Sequence, residues 1–307
     1  MISYNRSLNM SPSHDNEDLR ELLSRVREIE IRSRRMADSA MAGQYRTAFR
    51  GTGIEFEEVR EYASGDDVRA IDWNVTARSG KLFIKKYREE RERNVLIAID
   101  ISASQFFGSH DKTKKMLSAE LAAVFSLSAL SSKDKIGCLL FSDRIEEMVM
   151  PKRGRTHVLR IIRDVLGHQP KGRGTDIALA LDHINRILPR KTIVILISDF
   201  YGEGYEKAMQ RTALRHDLVP IVLRDPAELA MTGNGLFVVE DAETGKIEPC
   251  WMGSKKLGRE FAETSSLREA GLTRFFRKQQ IDFLTVRSGD AYSEALMEFF
   301  RRRVARQ

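Results

Sequence analysis

Cysteine is scarce in this chain, with only Cys138 and Cys250 among 307 residues. Two cysteines cannot form the disulfide framework of a small secreted scaffold, and Cys138 falls inside an apolar strand pattern, where a free thiol behaves as a small core residue. A reducing, cytoplasmic setting is the expectation, although arithmetic alone leaves a single bridge open. The opening residues Met1 to Arg6 lack the basic start and apolar run of a secretion signal. Long apolar runs are missing too. The strongest, Leu117 to Leu130, is interrupted by Ser118, Glu120, Ser126 and Ser128, so it is too short to span a bilayer and reads as a buried helix. There is no Gly-x-x-x-x-Gly-Lys-Ser/Thr loop, no Gly-x-Ser-x-Gly elbow and no His-Glu-x-x-His pair. The six histidines are scattered, and His157, His168 and His183 fall in expected helices, where packing or solvation is their role.

What is present describes a globular protein with a proper core, 42% hydrophobic and 31% charged. Basic side chains outnumber acidic ones by 51 to 44, a surplus that could attract nucleic acid or an anionic membrane. The surplus is interleaved with glutamates, as in Arg88 to Arg93, and no aromatic-and-basic stacking platform accompanies it. A solvated charged face is the reading, and nucleic acid is not expected as a partner.

Along the chain, residues 1–16 are polar and read as a disordered tail. Residues 17–50 read as an N-terminal helix capped by Asp15 or Asn16, with Leu19, Leu22, Leu23, Val26 and Ile29 at helical spacing and Gly43 as its stop. Residues 51–93 carry turn signals at Gly51–Gly53, Ser64–Asp67 and Ser79–Gly80. They read as a small β-rich module anchored by Trp73 and Tyr87. The block from Gly65 to Arg78 reads as an ion-paired turn with Trp73 buried. From 94 to 307 strands and helices alternate, the signature of an α/β domain with a mostly parallel sheet and helices on both faces. Val95–Ile99 and Thr192–Ile197 are continuous apolar runs expected of central strands. A hairpin and a charged helical stretch interrupt the alternation at about 226–280.

The two central runs end in Asp100-Ile-Ser-Ala-Ser104 and in Ser198-Asp199. Ligands of open parallel sheets bind outside the carboxyl ends of strands. Thr175 lies in the glycine-flanked loop Lys171–Thr175, just before another helix. Three loops thus offer two carboxylates and three hydroxyls, oxygen ligands only, which suit a hard cation such as Mg²⁺. Two carboxylates balance a divalent charge, while hydroxyls fill the shell without adding more. The ion then stays electrophilic enough to take one carboxylate from a partner. Each element has a plainer role by itself, the serines and Thr175 as helix caps and Asp199 as a turn residue. Their joint order and placement at strand ends carry the metal reading.

That order resembles the metal-ion-dependent adhesion site (MIDAS) of von Willebrand factor A domains and integrin inserted domains. The resemblance implies a von Willebrand factor A-like fold and Asp100, Ser102, Ser104, Thr175 and Asp199 as the positions around Mg²⁺, or Mn²⁺ or Ca²⁺. Ser102 and Ser104 would bind directly, Thr175 directly or through water, and Asp100 and Asp199 through water or hydrogen bonds. The segments Gly51 to Tyr62 and Gly65 to Arg78 resemble the bacterial domain-of-unknown-function family fifty-eight, with likeness from about residue 17 to the end. Gln105 departs from that family, which commonly has methionine there; the position is not a ligand, so the site should survive. That resemblance implies a MoxR-type AAA+ ATPase as partner and a client protein that offers an acidic residue. The expected function is a metal-dependent protein-binding module with no catalytic activity. The alternatives are a Mg²⁺-dependent phosphoryl-transfer enzyme and a nucleic-acid-binding protein, the latter using the amino-terminal helix or Arg301–Arg303.

Overall fold

A computed structural model describes residues 24–34, 42–49, 54–89, 93–106, 113–228, 236–240, 246–251 and 255–306. The expected tail lies outside the described residues. The chain forms two compact units, Phe49–Arg93 and a larger one made of the flanking segments.

The larger unit is built on a six-stranded sheet. Its strands are β3 (Asn94–Asp100), β4 (Lys135–Phe141), β5 (Ile145–Lys152), β6 (Ile193–Ser198), β7 (Asp217–Arg224) and β10 (Leu284–Arg287), in spatial order β10-β7-β6-β3-β4-β5. All neighbours are parallel except β5, the antiparallel edge strand. The α/β architecture expected from the alternation is therefore observed. β3 and β6 are β-branched runs buried on both faces, as central strands of a helix-covered sheet must be. Each fully buried Ile or Leu in them contributes roughly 1.5–3 kcal/mol of transfer free energy. β4 and β5 approach closely at Gly137, where a β-carbon would lie 2.6 Å from the Val149 carbonyl oxygen.

Helices cover both faces. The first after β3, α4 (Lys114–Ser131), is buried along almost its whole length, which explains its lack of a polar face. Thr113 caps it by accepting from the Met116 amide at 3.3 Å. α5 (Arg155–Gly167), α6 (Ile177–Ile187) and α7 (Glu206–Arg215) follow in turn. α6 buries Ile177, Ala180, Leu181 and Ile184, one helical stripe, and is capped by Asp176 accepting from the Leu179 amide at 2.8 Å. The hairpin β8 (Leu236–Glu240) and β9 (Ile247–Trp251), then α8 (Lys255–Lys278), fill the expected interruption, and α9 (Tyr292–Val304) closes the unit.

The amino-terminal region of this unit is described as two helices. α1, residues 24–34, buries Val26, Ile29 and Ser33, and Arg32 reaches the buried Glu120 of α4 at 3.2 Å. α2 (Ala42–Ala48) contains Gly43, which is therefore not a helix stop. Burial of Tyr45, edge-on to Phe300 at 6.2 Å, makes this turn of helix worth forming despite the glycine.

The smaller unit pairs β1 (Ile54–Glu61) with β2 (Phe83–Glu89) in antiparallel register, with a bulge at Phe56/Glu58. Between the two strands this β-rich module also carries short helices. Val68–Ala70 is a 3₁₀ turn and α3 spans Trp73–Ser79, with Asp72 accepting from the Asn74 and Val75 amides and Gly80 in the left-handed region at φ 72°. These are an N-cap and a C-terminal glycine around seven residues, too short a segment for periodicity to reveal. The buried-anchor reading of Trp73 is corrected, because that indole is 66% exposed. The ion-paired turn is present: Arg60 donates to both carboxylate oxygens of Asp66 at 2.9 and 2.7 Å, holding its pKa below the usual value. The Tyr87 side chain lies outside the described residues. No described helix is long and apolar enough to cross a membrane.

Candidate metal centre

β3 and β6 are adjacent, and Ile99 pairs with Ile197, so Asp100 and Ser198 come level at the same sheet edge. Chain order diverges on either side of β3, with β4 on one side and β6 on the other. That is a switch point of an open α/β sheet, where the crossovers leave a crevice.

Asp100 is buried, and its Oδ1 accepts from the Ser102 amide at 3.0 Å while its Oδ2 accepts from Ser198 Oγ at 2.7 Å. Both oxygens are thus spent on shaping the loop. Burial, and then the nearby Asp199 charge, push the Asp100 pKa upward. From this anchor the hydroxyls form a row. Ser102 Oγ lies 3.1 Å from Ser104 Oγ, and Ser104 Oγ donates to Asp199 Oδ2 at 2.9 Å. In an octahedral shell at 2.0–2.1 Å, neighbouring oxygens stand about 2.9–3.0 Å apart. The Ser102–Ser104 spacing therefore fits adjacent positions around such an ion, with Asp199 hydrogen-bonded to Ser104 beside them.

Asp199 is held firmly. Its Oδ1 accepts from the Tyr201 amide at 3.4 Å, and its carbonyl accepts from Nη1 of the buried Arg224 at 2.5 Å. The next residue, Phe200, takes φ 56°, a left-handed conformation uncommon for an aromatic side chain. Its amide bonds Ser198 Oγ at 3.0 Å, so one serine ties together Asp100 and the turn that presents Asp199.

Thr175 arrives on the loop between α5 and α6. Glu146 Oε1, on β5, accepts from the amides of Lys171 and Gly172 at 3.0 and 2.8 Å and from Ser142 Oγ at 2.7 Å. Burial disfavours the Glu146 charge, but the Gly172 amide, Ser142 hydroxyl, Lys171 amide and His168 outweigh it and hold the carboxyl at about 2. Farther along, the Arg173 carbonyl accepts from the Ala103 amide at 3.0 Å, docking this loop against the serine loop. Thr175 then lies beside the loop after β6, where a β-carbon on Gly202 would be 3.4 Å from its carbonyl oxygen. Ser102, Ser104 and Asp199 are therefore in direct contact, Asp100 is bonded to the same cluster, and Thr175 stands on the adjoining loop.

Three participants escaped sequence reasoning. Lys114, at the first turn of α4, is fully buried and donates to Asp199 Oδ2 at 2.6 Å and to Glu228 Oε1 at 2.5 Å. Burial acts to lower its pKa, but the Asp199 and Glu228 charges outweigh that and raise it. The paired lysines Lys114-Lys115 opening an apolar helix were the available signal. Glu228 ends a 3₁₀ turn in the interrupting segment, 114 residues away from Lys114, and nothing local marks it. Gln105, expected to be neutral to the site, is the third. It is fully buried, and neither side-chain amide atom has a hydrogen-bond partner among the described residues. An unpaired buried amide costs roughly 1–3 kcal/mol.

Residues 58–270 match the family described as "Protein of unknown function DUF58", well over half of the chain. The chain belongs to that family. Curated relatives include uncharacterised proteins of Mycobacterium bovis and Mycobacterium tuberculosis, each 27% identical over 282 residues, 91% of this chain and 89% of theirs. Among solved structures the chain is similar to the conserved hypothetical protein BatB from Bacteroides thetaiotaomicron (16% identity, TM-score 0.42). It is also similar to an aerotolerance-related membrane protein from Bacteroides fragilis (15% identity, TM-score 0.43). Both alignments cover 70% of this chain and all of the other.

Proposed function

We propose that this DUF58 member is a metal-ion-dependent protein-interaction module that works in the cytoplasm and has no catalytic activity. The observation that carries the reading is the pair Ser102 and Ser104 at octahedral-edge spacing on the rim of the sheet, with Ser104 hydrogen-bonded to Asp199. Ser102, Ser104 and Thr175 would hold Mg²⁺, with Mn²⁺ or Ca²⁺ as substitutes, and Asp100 and Asp199 would support it through hydrogen bonds or water. Two further features suit a cation here. Two carboxylates, the buried Asp199 and the half-buried Glu228, share the Lys114 ammonium, and the buried side-chain amide of Gln105, without a hydrogen-bond partner among the described residues, sits one residue from Ser104. The ion's chemistry would be that of a Lewis acid with a position left for a partner's Asp or Glu. By resemblance, the partners are a MoxR-type AAA+ ATPase and a client protein.

Isothermal titration of Mg²⁺ and Mn²⁺ into the wild type and Ser102→Ala tests the site, and ATPase or client capture with and without EDTA tests its use. We expect binding that Ser102→Ala removes and capture that EDTA abolishes. Capture indifferent to both would remove metal-mediated docking.

One observation favours a second reading. Phosphoryl transfer wants a positioned lysine beside the metal, and Lys114 supplies one. Against it, Asp100 is only 1% exposed and both of its oxygens are engaged, which leaves that carboxylate no free oxygen for attack. Phosphoester turnover that disappears in Asp100→Ala would replace the binding reading with the enzymatic one.

A further inference from the structure

Lys114 reaches the same oxygen that the site's hydroxyl row ends on. Ser104 Oγ and Lys114 Nζ both bond Asp199 Oδ2, at 2.9 and 2.6 Å. That oxygen faces Ser104, so it also faces any ion, or any ion-bound water, that Ser104 would hold. A buried ammonium already lies against it, with no exposure to solvent. An ammonium and a divalent ion cannot share one carboxylate oxygen in a site shielded from water without strong repulsion.

Lys114 has a second partner to retain it. Glu228 Oε1 lies 2.5 Å from Nζ, and Glu228 Oε2 accepts from the Asp225 amide at 3.1 Å. The Glu228 carbonyl accepts from Ser265 Oγ of α8 at 3.3 Å. The lysine thus bridges the candidate metal centre on one side and the turn leading into the hairpin and α8 on the other. Tyr201 lines the same place, with Lys114 Nζ 5.7 Å and the Arg224 guanidinium 5.2 Å from its ring.

We infer that Lys114 is a built-in competitor of the divalent ion: its ammonium holds Asp199 Oδ2 in the metal-free protein, and ion binding requires it to shift its pairing toward Glu228. This rests on the metal-binding reading above and adds its regulation. The lysine sets a low intrinsic affinity for the ion. It also couples ion occupancy to the Glu228 turn, since ion binding strengthens the Lys114–Glu228 pair and loss of the ion relaxes it.

The test is Mn²⁺ titration by calorimetry, with Mn²⁺-dependent shifts in thermal unfolding as a second readout, on the full-length protein. Lys114→Met should bind Mn²⁺ at least tenfold more tightly than the wild type. Glu228→Gln should bind it more weakly, because the ammonium is then left to Asp199 alone. In the double variant K114M/E228Q, the Glu228 effect should vanish and affinity should match Lys114→Met. That double variant removes a cation and an anion together, so it keeps the test available should Lys114→Met alone unfold from unpaired buried carboxylates. Affinity in Lys114→Met, or in the double variant, that equals or falls below that of the wild type overturns the competition while leaving the metal site standing. Weakening by Glu228→Gln in both backgrounds also overturns it, making Glu228 a ligand instead. Absence of Mn²⁺ binding in the wild type, Lys114→Met and the double variant alike sinks the metal site itself, and the competition with it.

Discussion

Replacing Glu146 by glutamine should unfasten the loop that carries Thr175, and the cost can be worked from the structure. The carboxylate gathers two backbone amides and one hydroxyl on a single oxygen, and its side chain is only 1% exposed. Its pKa falls from 4.5 to about 2 on folding. At 1.36 kcal/mol per unit, the ionised form contributes ~3 kcal/mol to stability. The sign follows from the depressed value. The contribution is nearly complete above the unfolded pKa near 4.5, about two-fifths of it remains at pH 3, and it is almost gone once pH falls below about 2. A glutamine keeps one oxygen but turns the other into a donor, so the charge-assisted share is lost. Urea unfolding of wild type and Glu146→Gln at pH 7, 5, 4 and 3 should show a gap of about 2–3 kcal/mol at neutral pH that narrows only below pH 4.5. A gap that is constant with pH would refute the argument, because the effect would then be packing rather than ionisation. A gap near zero at pH 7 would show that the Lys171–Gly172 turn holds without its acceptor.

Two further outcomes are expected. Gly137→Ala must push a β-carbon to within 2.6 Å of the Val149 carbonyl oxygen and 2.8 Å of the Pro151 nitrogen, both backbone atoms. It should lower unfolding stability by about 1–3 kcal/mol, and an unchanged urea midpoint would contradict the close β4–β5 approach. Cys138 is buried and free, and burial, then the Glu147 and Asp164 charges, push its pKa upward. It should resist thiol-specific labelling in the native protein and react at once in denaturant; rapid native labelling would count against its placement in β4.

Much of this was legible because it is local. The apolar runs at Val95–Ile99 and Ile193–Ile197 declare buried strands, and a strand buried on both faces needs helices between it and its parallel neighbour. Asp100 follows the first run directly and Asp199 follows the second after Ser198, so once the runs are strands the carboxylates fall at one sheet edge. Short helices were harder. α3 spans only seven residues, too few for an amphipathic period, and the exposed Trp73 shows that a large aromatic in sequence does not name a core position.

The sequence by itself determined the alternation, the central strands and the oxygen-bearing residues at their ends, since each depends on neighbours a few positions apart. Tertiary structure alone decided which charges meet. Lys114 and Glu228 are 114 residues apart, and Glu146 reaches Gly172 across 26. Pairings like these arise because folding excludes water from one small volume and leaves every charge inside it to find an opposite partner or a hydrogen bond.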